Sequence, residues 1–166
     1  VPFASLTLNC LVWSLYGYLR KDYTVLLPNA SGFLVGIFCM WAYQLRSMST
    51  PWAFYGILAG SAAAVSCLAN MGAVHAVGFI GCALSVGLSG SPLAVISTVL
   101  KDKSTESLPF STSFLTWLNN FSWLFYGLCV ARDPVIYGPN ILGFALASAQ
   151  MLLFLKYGIA SHDKRS

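Results

Sequence analysis

The sequence predicts an all-α, polytopic membrane protein: six transmembrane helices, read as two parallel three-helix repeats joined by a linker helix, with the first helix of the first repeat not among them. Three observations predict it. Of 166 residues, 57% are hydrophobic and only 8% charged, with a mean hydropathy of +0.72. A soluble domain carries about 25% charged residues, so too little polar surface exists here to coat a water-soluble globule. Every charged residue falls in a break between long apolar stretches or, for Lys156, at the very end of one. Finally, one motif occurs twice. Leu8-Asn9-Cys10-Leu11-Val12-Trp13-Ser14-Leu15-Tyr16-Gly17 returns as Leu118-Asn119-Asn120-Phe121-Ser122-Trp123-Leu124-Phe125-Tyr126-Gly127. Asp22, Pro28-Asn29 and Gly32 return as Asp133, Pro139-Asn140 and Gly143. The offset is 110 for the first group and 111 for the second. A kept offset over so many residue types marks an internal duplication and predicts two equivalent half-sites facing each other.

The breaks delimit spans at 2–19, 23–45, 52–71, 75–99, 109–131 and 135–157. Each is long enough to cross a hydrocarbon core of about 30 Å at 1.5 Å per residue. In lipid the backbone must satisfy its own hydrogen bonds, which predicts helices. No ten-residue alternating segments of the kind a transmembrane barrel needs are present.

With the spans antiparallel in sequence, one face collects Arg46, Lys101, Lys103, Lys156, Lys164 and Arg165, and the other Arg20, Lys21 and Arg132. The excess predicts that the first face, with the C-terminal tail, is cytosolic. The net charge of +4 is then loop charge and implies no nucleic-acid partner. The Trp13 span is first and the Trp123 span fifth, so both cross in the same direction and the repeats are parallel. Span 52–71 is the linker that makes this possible. Its run Ala59-Gly60-Ser61-Ala62-Ala63-Ala64 offers small residues for close packing. The expected organisation is a first repeat at 1–46, a linker helix at 47–73, a second repeat at 74–158 and a cytosolic tail at 159–166. The second repeat has a whole span ahead of its Lys101–Ser107 loop, whereas the first begins at Val1-Pro2-Phe3. A further helix and loop are therefore expected upstream of residue 1.

Asn29 and Asn140 are the sharpest candidates for binding. Each lies about seven residues into its span, about 10 Å below the outer surface. An amide there is costly without partners. Pro28 and Pro139 beside them remove a helix hydrogen bond, and a bent, partly unwound helix is expected. Trp13 and Trp123 fall near the same depth, where an indole offers a flat face to a ring's C–H surface and a donor to a hydroxyl. Tyr16 and Tyr126 lie one turn further out, followed by Asp22 and Asp133, and are candidates for an outer gate. Pro2, Pro92 and Pro109 share an inner depth and are candidates for an inner hinge. Trp41, Trp52 and Trp117 have no symmetry mates and read as belt or packing residues.

Absences exclude other classes. The five cysteines sit inside apolar spans with no C-x-x-C, and no His pairs with them, so no metal site is built. No acidic residue lies inside a span, leaving no carboxylate proton relay. No phosphate-binding loop, Ser/His/Asp set or H-E-x-x-H motif is present, so neither ATP hydrolysis nor an enzyme is expected, and no cofactor is implied. A neutral polar solute moving down its own gradient fits best.

These residues resemble the eukaryotic SWEET sugar transporters over about residues 1–158. The resemblance rests on P-F, L-N-C, W and Y-G, P-N and G, S-P-L, K-S-T-E-S-L-P-F, then the second L-N, W, Y-G, R-D-P, P-N and G. It implies a 3-1-3 plan of seven helices, of which six are here. It implies facilitated diffusion of sugars, most simply a monosaccharide such as glucose, by alternating access with the sugar bound between the repeats. It places the paired sugar-binding asparagines on Asn29 and Asn140, the flanking pocket positions on Trp13 and Trp123, and three members of an inner proline tetrad on Pro2, Pro92 and Pro109. Plant members often have a smaller residue where Trp13 stands, which implies a tighter pocket. The implied partners are a sugar and the lipid bilayer of the plasma membrane; self-association is left open. The alternatives are an amino-acid or other small-solute transporter of the Pro-Gln-loop type, and a transport-inactive structural or regulatory membrane protein. Pro92 is followed by Leu93, not Gln, which weighs against the first.

Overall fold

Helices occupy every span that hydropathy delimits, in a computed structural model that describes residues 2–46 and 52–159. The linker start at 47–51 and the tail beyond Ile159 lie outside the described residues, as do the side chains of Pro2, Phe3, Trp52, Ala53, Phe54 and Ile57. The elements are α1 (Pro2–Arg20), α2 (Tyr23–Arg46), α3 (Trp52–Asn70), α4 (Val74–Leu88), α5 (Gly90–Asp102), α6 (Phe110–Phe125), a π-helical segment (Tyr126–Val130) and α7 (Pro134–Tyr157). No strand occurs among the described residues. α2, the α4–α5 stretch and α7 are long and apolar enough to span a membrane by length and composition. Large apolar side chains such as Leu34, Phe38, Leu93 and Leu155 point outward, as expected where hydrocarbon replaces water as the solvent.

The span expected at 75–99 is one 29-residue helical stretch, Val74–Asp102, interrupted at the single residue Ser89. Pro92 has no N–H to give the carbonyl of Leu88 and its ring crowds that carbonyl, and α4 ends there. Ser89 closes the break with a tight bond from its nitrogen to the Val86 oxygen at 3.0 Å, and its hydroxyl donates to the Ser85 oxygen at 3.1 Å. The helix therefore yields one turn before Pro92, the position singled out as a hinge.

Two compact units divide the chain, Val1–Leu84 and Ser85–Ser166. In the first, α1 pairs along its length with α2 and also touches α3. α3 turns Val65 and Ala69 inward, while Ala59, Gly60, Ala63 and Ala64 stay exposed, so its small-residue run does not form a packed seam within the unit. The first turns of α4 also pack here: a methyl on Gly81 would lie 3.2 Å from the Trp13 ring. The unit boundary falls within α4, and not at the 73/74 edge of the repeat.

In the second unit α7 packs on both α6 and α5. Val99, Leu108, Leu153 and Phe154 form its apolar core at one end. The loop after α5, from Lys103, is tied to that core. Buried Thr105 donates its hydroxyl to the Gly158 carbonyl at 2.8 Å, satisfying a group at the end of α7. Further along, Phe110, Phe114, Trp117 and Phe121 form a ladder down one face of α6. Trp117 donates its indole N–H to the Ser148 hydroxyl at 3.0 Å.

The one-residue change of offset between the repeats has a structural cause. It falls between Gly127 and Asp133, where the second repeat holds one residue more than Gly17 to Asp22. The chain absorbs it as the π-helical segment, closed by the Ala131 nitrogen on the Tyr126 oxygen at 2.9 Å. A π-bulge is the usual way a helix accepts one extra residue.

Candidate functional site

The recurring residues build the same local frame twice. At the end of α1, Gly17 lets the first turn of α2 pass so closely that a methyl there would lie 2.7 Å from the Leu26 nitrogen. At Gly127 the equivalent methyl would lie 2.8 Å from the Tyr137 nitrogen. Lys21 and Arg132 follow in the left-handed conformation, with φ of 56° and 50°, turning the chain back. Asp22 and Asp133 then cap the next helix. The Asp22 carboxylate accepts from the Thr24 and Val25 nitrogens at 3.0 and 3.1 Å, and that of Asp133 from the Val135 nitrogen at 3.0 Å. Pro134 continues the second cap at the first helical position, where a missing N–H costs nothing.

The asparagines follow within two turns. Asn29 Nδ2 donates to the Val25 oxygen at 2.8 Å and Asn140 Nδ2 to the Ile136 oxygen at 2.7 Å. Both side chains are half-buried. In each amide Oδ1 and the second N–H take no partner among the described residues, which leaves one acceptor and one donor for a polar ligand. The expected unwinding does not occur: α2 runs unbroken through Pro28 and α7 through Pro139. Each proline stands in the second turn, where only one carbonyl, Thr24 or Val135, loses its donor, and the adjacent amide-to-carbonyl bond ties that turn together.

Each tryptophan meets its tyrosine edge to face. Trp13 and Tyr16 lie 5.7 Å apart at 85°, and Trp123 and Tyr126 lie 6.0 Å apart at 88°. Such pairs contribute about 0.5–1.5 kcal/mol beyond area burial and hold both rings in place. Gly17 against Leu26 and Cys10 against Gly32 set the register of α1 on α2, which brings Trp13 level with Asn29. Gly127 against Tyr137 and Asn120 against Gly143 bring Trp123 level with Asn140. The burial differs: Trp13 is 8% exposed, covered partly by α4, while Trp123 is half-buried.

The structure thus joins the Trp–Tyr pairs and sets each beside its asparagine in depth. The residues proposed for an outer gate already have local work, with the tyrosines packed on indoles and the aspartates capping helices. Pro109 is the residue before α6, and Pro92 follows the α4 break. The ring of Pro2 lies outside the described side chains. Sequence reasoning assigned no role to Gly17, Gly127, Gly32 or Gly143, and it read Lys21 and Arg132 only as loop charge, not as left-handed turn residues. For the glycines the duplication itself was the signal, since each recurs at the motif's offset.

A family model described as "Sugar efflux transporter for intercellular exchange" matches residues 1–51 and 75–162. The rice (Oryza sativa subsp. indica) bidirectional sugar transporter SWEET15 is 30% identical over 94% of this chain and 52% of its own length. Sugar transporter SWEET1 of Drosophila pseudoobscura pseudoobscura is 30% identical over 98% of this chain and 76% of its own. The chain spans about half the length of the plant relatives it matches at similar identity. The solved structure of a eukaryotic SWEET transporter superposes with a TM-score of 0.83 at 28% identity, over 94% of this chain and 78% of that one. Family and fold agree with the doubled Trp–Tyr, Asp-cap and Pro-Asn frame, and the chain is a member of the SWEET family, integral membrane proteins that transport sugars and are not enzymes.

Proposed function

We propose that this chain moves a monosaccharide such as glucose by facilitated diffusion, with alternating access and one amide from each repeat engaging the sugar. The observation that carries this reading is the repeated asparagine. Each repeat holds a half-buried amide, level with a Trp–Tyr pair, with an acceptor and a donor left over. Asn29 and Asn140 would bind hydroxyls, and Trp13 and Trp123 would stack on the ring. Tyr16, Tyr126, Asp22 and Asp133 would close the outer side. Pro2, Pro92 and Pro109 would serve as inner hinges; the helix break one turn before Pro92 supports that role. The relatives, named as sugar transporters, supply the substrate class. The plasma membrane and a cytosolic C-terminus follow from the resemblance and from loop charge.

Counterflow of labelled glucose in vesicles holding the full-length protein tests the reading. Asn29→Ala or Asn140→Ala is expected to cut uptake at least tenfold with surface protein unchanged, because a site built to bond a hydroxyl loses that selectively. Wild-type uptake is expected to ignore an uncoupler. Normal uptake by either mutant would remove that residue from the site.

A further inference from the structure

α7 carries a second amide. Ile136, Asn140, Gly143, Ala147, Gln150 and Phe154 recur at helical spacing along one face, the face that meets α6 through Asn120 and Gly143. Gln150 is only 5% exposed, yet its amide makes no hydrogen bond among the described residues. No described side-chain oxygen or nitrogen is both sealed and unbonded, so this amide borders open space. Ser113 of α6 is likewise buried, and its hydroxyl makes no hydrogen bond among the described residues. The Phe110–Phe154 and Trp117–Ser148 contacts step along the α6–α7 pair and set Ser113 level with Gln150. The first repeat has Cys39 where the second has Gln150.

An amide inside a membrane span without a partner is held for a ligand or a path in preference to packing, since packing would select an apolar side chain. We propose that Gln150, with Ser113 at its level, is a second polar contact for the transported solute, ten residues or about 15 Å along α7 from Asn140. The ligand class is a neutral polyhydroxyl solute. Gln150 offers it one acceptor and two donors and Ser113 one hydroxyl, and no charged side chain stands near them in α6 or α7. This rests on the transport reading above and gives that path a second stage in the Tyr157-ward half of the second repeat.

Substituted-cysteine labelling in the full-length protein, its native cysteines replaced by serine, tests it. Gln150→Cys is expected to react with N-ethylmaleimide, which needs water to reach a thiolate. Glucose is expected to slow that reaction at least threefold. Leu155→Cys, on the outward face at 83% exposure, is the control and should stay unlabelled in lipid. Gln150→Leu should lower glucose uptake at least fivefold at equal surface protein. If Gln150→Leu fails to reach the membrane, Gln150→Asn, which keeps a shortened amide, should raise the half-saturation for glucose at least threefold. A parent that transports glucose while Gln150→Cys stays unlabelled, or labels at a rate glucose does not change, overturns the proposal. A parent that does not transport glucose overturns the transport reading instead, and the labelling still reports whether Gln150 lines an aqueous path.

Discussion

Along the α1–α2 seam of the first repeat stand Cys10 and Cys39; at the equivalent places on the α6–α7 seam stand Asn120 and Gln150. Cys10 turns its sulfur to Gly32, and Asn120 turns its amide oxygen to Gly143 while its Nδ2 bonds the Thr116 carbonyl at 2.8 Å. The positions that shape the backbone do not differ in this way. Tyr-Gly, the left-handed basic residue, the aspartate cap and Pro-Asn are the same in both, down to distances within a few tenths of an ångström. A duplicated helical hairpin is constrained wherever backbone meets backbone, because no rearrangement relieves a clash there. Where side chain meets glycine, an oxygen or a sulfur serves equally well, and the two copies are free to take up different chemistry.

That contrast can be broken at the glycines first. Gly17→Ala and Gly127→Ala push a methyl onto the backbone nitrogens of Leu26 and Tyr137, and a loss of about 3 kcal/mol, the upper end of overpacking costs, is expected from each. Gly32→Ala and Gly143→Ala meet only the ends of Cys10 and Asn120 and should cost less. Gly138→Ala meets nothing within 4 Å and should be neutral or better. Thermal melts of the purified protein rank the five. Equal losses at Gly17 and Gly32 would remove the distinction between frame and seam.

The caps come next. Asp22→Ala and Asp133→Ala should each cost about 1 kcal/mol, the usual worth of an N-cap, with Asp22→Asn and Asp133→Asn largely restoring stability. If the aspartates also close an outer gate, the Asn variants will melt normally yet transport at an altered rate. Comparing melt with transport separates the two roles.

The smallest effect is expected from the π-helical segment. Deleting Cys129 gives the second repeat the length of the first, and Tyr126 to Asp133 should then close with ordinary helical bonds. A change in melting worth less than about 1 kcal/mol would fit a tolerated insertion. A collapse of folding would show instead that the second repeat has come to depend on it.

Much of this was legible in advance for a physical reason. Span boundaries follow from hydropathy, because lipid punishes unpaired backbone and stray charge alike, and the helices begin and end within a few residues of them. The recurrence of Trp13, Asn29 and Asp22 as Trp123, Asn140 and Asp133 announced a doubled local frame. The break at Ser89 was less legible, since hydropathy runs unbroken through it and Pro92 acts one turn upstream of itself. The prolines at 28 and 139 misled in the other direction: a proline in the second turn of a helix removes too little to unwind it.

By itself the sequence determined the class of the molecule, its span count, its duplication and the residue types that recur in each repeat, because these depend on composition, spacing and the solvent. Only the tertiary structure decided what those residues touch. It made the aspartates caps, the Tyr-Gly glycines crossing points and the extra residue a π-bulge. It also left the amide of Gln150 unbonded inside its own unit. Such roles are set by which backbone passes within 3 Å of which, and that proximity joins residues whose spacing along the chain carries no record of it.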